Sequence, residues 1–109
     1  MMEKNEMQQR FSHAEEMIHR AAQRCQVVDA VPMELKDSVQ QLDQKAMHAR
    51  QLLGSQDDNQ IRQCVDDLEQ LGDRAKDACE NAPADVDSEL RDAVMQAHRE
   101  LSDLKHQLH

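Results

Sequence analysis

The feature that most constrains this chain is the spacing of its apolar residues. Met7, Phe11, Ala14, Ile18, Ala21, Cys25 and Val28 recur at intervals that alternate between four and three without a break. Leu35, Val39, Leu42, Ala46, Ala49 and Leu53 do the same, and Val86, Leu90, Val94, Ala97, Leu101, Leu104 and Leu108 follow the same rule of fours and threes. Such spacing keeps one side chain per turn on one side of an α-helix. A seam that narrow belongs to helices lying side by side at a shallow angle. A fourth segment carries a wider stripe of Ile61, Cys64, Val65, Leu68, Leu71, Ala75, Ala78 and Cys79.

The intervening residues support helix everywhere. Ala, Gln, Glu, Leu, Arg, Lys and Met lose little rotamer freedom on a helix, and no stretch alternates in the manner of a strand. The two prolines and two glycines punctuate the pattern. The expected helices run from Glu3 to Val28, Met33 to Leu53, Gln56 to Glu80 and Ala84 to Leu108. Pro32 suits the first turn of the second helix, Gly54 is a natural terminator, and Ser55-Gln56-Asp57-Asp58 resembles a capping box. Gly72 lies on the stripe itself, where a close neighbour would justify its cost of about 1 kcal/mol against Ala. Matched lengths and short links predict a single all-α domain, an antiparallel up-down-up-down four-helix bundle with heptad-like packing. The competing arrangement is a three-helix bundle from which helix 1 projects into a partner.

A faint internal repeat accompanies this pattern. Arg20-Ala21 and Cys25 match Arg74-Ala75 and Cys79, and Val31-Pro32-Met33-Glu34-Leu35 resembles Ala82-Pro83-Ala84-Asp85-Val86. A duplicated hairpin and chance resemblance between helices of one grammar account for it equally.

Charge narrows the partners. The formal net charge is −9, and residues 1–29 are close to neutral, so most of the negative charge lies beyond them. An acidic surface repels phosphate backbones and anionic lipid, which disfavours nucleic-acid and membrane binding. No apolar signal core and no run of membrane-spanning length are present, which predicts a cytoplasmic protein. Three cysteines in no ligand-like cluster suit reduced thiols rather than a disulfide framework. Phe11 is the one aromatic residue, so the core must be built from small side chains that each bury little area. A self-associating chain, gaining buried surface between copies, fits that economy.

Helical phase sorts the candidate sites. Glu16-x-x-His19 resembles the Glu-x-x-His element of ferritin-like di-iron bundles, and Asp103-x-x-His106 is a looser version. Ile18 and Ala21, and Leu101 and Leu104, turn both pairs outward, so they read as surface polar residues. Met7 with a helix-4 histidine resembles the haem ligands of four-helix cytochromes, but His98 is only beside a seam and His106 faces out. His48 invites comparison with histidine phosphotransfer domains, yet the Leu and Gly that follow it come too late. Cys25 and Cys79 are thiol positions of interest, with buried small apolar residues as the ordinary reading. Met47 and Met95 fall outside the seams and mark a possible interaction surface. No catalytic residue, metal ligand or cofactor is expected. The functional expectation is a non-enzymatic protein–protein interaction module, with helix 1 as an exchangeable element. A small metal- or cofactor-binding bundle is the alternative.

Overall fold

The computed structural model describes residues 4–54, 57–84 and 86–108. Glu3, Ser55, Gln56 and Asp85, which figure in the expectations above, lie outside the described residues. Four helices are present: α1 (Lys4–Val27), α2 (Met33–Leu52), α3 (Asp58–Asn81) and α4 (Ser88–Leu108). Each packs on its two neighbours in a square, α1 on α2 and α4, and α3 on α2 and α4. The bundle measures 42 × 21 × 18 Å. The three-helix alternative is therefore incorrect. Helix α1 does not project: Phe11, Ala14, Ile18, Ala21 and Cys25 are all buried, and exposing them would forfeit much of the core.

The seams form that core. Leu35, Val39, Leu42, Leu68, Leu90, Val94, Leu101 and Leu104 are fully buried, and the remaining seam positions, Val28 apart, are buried or packed against them. Ser38 is the one buried polar residue among the described residues, and it donates its hydroxyl to the Glu34 carbonyl at 2.8 Å within its own helix. Gly72 is buried, and a Cβ built on it would meet Leu101 Cδ1 at 3.3 Å and the His98 Cα at 3.8 Å. The glycine thus lets α4 come close to α3, as its place on the stripe suggested.

Charged side chains bridge neighbouring helices and report their direction. Arg50 pairs with Glu15 (2.7 Å) and His19 with Asp43 (3.5 Å) between α1 and α2. Arg24 pairs with Asp87 (2.9 Å) and His13 with Glu100 (3.1 Å) between α1 and α4. His98 pairs with Asp73 (2.9 Å) and Lys105 with Glu69 (3.4 Å) between α3 and α4. In each set one number rises as the other falls, so the neighbours are antiparallel.

Several helix ends differ from the sequence expectation, most of all the starts of α3 and α4. Helix α3 begins at Asp58 because Asp57 occupies the cap, accepting from the backbone N–H groups of Asn59 and Gln60. Helix α4 begins at Ser88 rather than Ala84. The Pro83 carbonyl accepts from the Val86 N–H in a turn, and Asp87 then caps the helix by accepting from the Leu90 N–H at 3.0 Å. Gly54 is not in the left-handed region; among the described residues Ala30 is, with φ 64°. That conformation costs an L-residue with a Cβ about 1–2 kcal/mol. Ala30→Gly is therefore expected to stabilise the protein by about 0.5–1 kcal/mol, after the entropy that glycine adds to the unfolded chain. Urea titration checks this, and a loss of stability would mean that the turn is held in another conformation in solution.

Candidate functional site

Among the described residues the core is apolar apart from Ser38, so the charged candidates lie on the rims or the ends of the bundle. The turn Val28–Pro32 comes together at one end with Pro83, Val86 and Asp87. Val28, Ala30, Val31, Pro32, Pro83 and Val86 line a cleft of about 400 Å³ there, together with Asp29 and Asp87. Val27 and Met33, which flank the first turn, are 70% and 72% exposed. Both are large side chains that burial would favour, left in solvent on either side of one turn.

Arg24 and Asp87 hold that end together. The Arg24 Nε and Nη2 donate to the two Asp87 carboxylate oxygens at 2.9 Å each, a bidentate pair between α1 and the start of α4. Glu89 approaches the same guanidinium at 3.4 Å. The Arg24 hydrogen bonds hold the Asp87 carboxyl below its ordinary range, and the Leu90 N–H acts in the same direction. A carboxyl lowered in the folded state contributes stability above the unfolded value, and the contribution disappears as pH falls through the folded one. Asp87→Asn is accordingly expected to unfold at lower urea than the parent at pH 7. The gap should close as pH drops below about 4, where unfolded carboxylates protonate. An unchanged gap at acid pH would remove the ion pair as its source.

Cys25, Cys64 and Cys79 are all free and buried. Burial raises the Cys25 and Cys64 thiols and pushes Cys79 up to about 11. Cys25 and Cys79 sit on the diagonal helices α1 and α3, near enough that ionisation of one opposes that of the other. Lys36 of α2 acts on the first thiol and Arg91 of α4 on the second, both favouring the thiolate, and burial outweighs them. Neutral buried thiols are poor nucleophiles. A disulfide-exchange reagent should react with none of the three in native protein at pH 7.5 and with all three in denaturant. One rapidly reacting thiol in the native state would contradict this.

The methionines separate. Met47 is 55% exposed and borders a groove of about 440 Å³ between α1 and α2, with Glu15, Glu16, His19, Asp43 and Arg50 around it. Met95, on α4, is partly buried and packs against the core. The two lie on diagonal helices and do not form one surface. Glu16, His19, Asp103 and His106 are exposed, as their phase requires, and Met7 is buried in the core.

A cluster that phase alone did not reveal lies on the rim between α3 and α4. Glu69 and Asp73 stand one turn apart on α3, on either side of Gly72, and His98 faces them from α4. One ligating atom from each lies within 4.8 Å of the others. The His98 Nε2 is 2.9 Å from Asp73, while Lys105 reaches Glu69. Asp73 is open to solvent, whereas the side chains of His98 and Glu69 are each 17% exposed. The signal in the sequence was a pair of carboxylates four apart around a seam glycine. The register that brings His98 opposite them was not readable.

Among the described residues no helix is long and apolar enough to cross a membrane. Comparisons with protein-family models, curated proteins and solved structures gave no match to this chain.

Proposed function

We propose that this chain is a non-enzymatic protein–protein interaction module that associates with a second copy of itself through the end that carries the Val28–Pro32 turn. The observation that carries the reading is the exposure of Val27 and Met33 on either side of that turn, next to a cleft whose wall includes Val28, Val31, Pro32, Pro83 and Val86 beside Asp29 and Asp87. Scattered apolar residues on a surface are normal, but a contiguous set is characteristic of an interaction site. A symmetric dimer presents the same patch from both copies, so a patch that is apolar is complementary to itself. The small side chains of the core add a reason for association, since each copy gains apolar burial that its own interior supplies sparingly.

Charge sets how that association must behave. Each chain carries −9, and two such chains repel. Salt screens the repulsion within about 8–10 Å at physiological strength and leaves apolar contact intact. Dimer formation should therefore strengthen as salt rises, opposite to an interface held by ion pairs. Light scattering across a concentration series is expected to give a mass approaching twice the 12.5 kDa of one chain, more readily at high salt. The Val27→Lys, Met33→Glu double variant should stay at the mass of one chain. A parent that remains monomeric throughout, or a double variant that dimerises equally well, would overturn the reading.

A further inference from the structure

The rim cluster of α3 and α4 is separate from the end that carries the Val28–Pro32 turn and owes nothing to the interaction reading. We propose that Glu69, Asp73 and His98 form a binding site for a single divalent cation of the zinc type, kept closed by Lys105 until the cation displaces it. Two carboxylates and an imidazole nitrogen are the donor set that borderline cations such as Zn²⁺ accept. With both carboxylates ionised and the imidazole neutral, the set carries two negative charges, matching the cation.

The geometry is nearly made. Ligand lengths of about 2.0–2.2 Å place tetrahedral donors about 3.4 Å apart. The three donor atoms here lie within 4.8 Å of one another, and Asp73 and His98 are already at 2.9 Å. Closing the set takes side-chain rotation, and Asp73, open to solvent, has room to rotate. Glu69 and His98 form the sheltered wall of the site, and water completes the coordination from the open side. The donors come from two helices whose separation is set by packing: a Cβ on Gly72 would stand 3.8 Å from the His98 Cδ2 and 3.3 Å from Leu101. A larger residue there would push His98 away from the carboxylates. Helix α3 also concentrates negative charge. It holds seven acidic residues (Asp58, Asp66, Asp67, Glu69, Asp73, Asp77, Glu80) against three basic ones (Arg62, Arg74, Lys76), a net −4 that draws cations to this side.

Lys105 is the competing cation. Its ammonium lies 3.4 Å from Glu69 on a side chain that is partly exposed, so it can leave for solvent when a metal arrives. Removing it should therefore tighten metal binding, an effect that casual binding of Zn²⁺ to surface acids would not show.

The test uses the full chain without an affinity tag, stripped with a chelator. Zn²⁺ titration by calorimetry should give one site per chain, and Co²⁺ should acquire a visible absorption band that Zn²⁺ abolishes. His98→Ala and Asp73→Asn should each weaken binding by about tenfold or more, Lys105→Gln should strengthen it severalfold, and His48→Ala should leave it unchanged. Circular dichroism on each variant, with the isosteric Glu69→Gln as a further member, separates loss of a ligand from loss of fold. Absence of saturable binding would overturn the proposal. So would binding that survives in both folded His98→Ala and Asp73→Asn chains, or an affinity that Lys105→Gln leaves unchanged.

Discussion

Everything polar in this molecule is placed by the burial of one continuous apolar seam. Phe11, Ile18, Leu35, Leu42, Leu68, Leu90, Leu101 and Leu104 fill the centre, and Ala, Val, Cys and Gly72 fill the gaps between them. Small gap-fillers bring the helices close, and among the described residues the buried core holds no charged side chain. An unpaired polar atom in such a core would cost several kcal/mol. Charge is therefore confined to the rims, where the side chains of adjacent helices must meet. The cross-helix pairs are a consequence of the seam, and as exposed pairs each contributes little to stability. Their effect is on register: they favour one neighbour and one vertical alignment over the alternatives.

The Arg24–Asp87 pair is the strongest case. It is bidentate, half-buried and links residues 63 positions apart. Asp87 also supplies the cap of α4, so one carboxylate decides where that helix starts and ties the start to the end of α1. The consequence reaches the cleft at that end of the bundle. By holding the second turn against α1, the pair makes Pro83 and Val86 the opposite wall of the cleft that begins at Val28.

The architecture was legible because it depends on period alone. A stripe of fours and threes identifies a helix and its buried side without reference to any other segment, and the seams of α1, α2 and α4 are buried almost position by position. Helix ends were less legible because several residues compete for each cap. Asp57 and Asp58 are adjacent, and Asp87 gains the cap of α4 only with Arg24 arriving from another helix. The left-handed Ala30 had no local signal, since the chemistry that favours that conformation was present at Gly54, where it is not used. The Glu69–Asp73–His98 cluster was hidden for a related reason. Phase says which side of its own helix a residue occupies, and all three lie beside their seams. Their meeting depends on the vertical register between α3 and α4, which the spacing of either helix leaves open.

The internal repeat gains a physical test from the same reasoning. An up-down bundle always brings its first and third turns to one end, so the shared cleft between Val28–Pro32 and Pro83–Asp87 does not distinguish duplication from chance. The register of the cysteines is more demanding. Cys25 and Cys79 sense one another across the diagonal, and each has a cation from the following helix near it, Lys36 for the first and Arg91 for the second. With the two prolines aligned, however, Arg91 falls opposite Gln40 and not Lys36, so the two cations are not equivalent positions and do not argue for duplication. Two hairpins of common design would also have to have diverged at the cap of the second helix in each pair. Helix α2 starts at Pro32, whose ring presets the backbone and which offers no side-chain acceptor, whereas α4 starts at Asp87. With the two prolines aligned, Lys36 occupies the place of Asp87. The Arg24 clamp is thus possible in one half only, and it is what makes the two ends of the pseudo-repeat unequal.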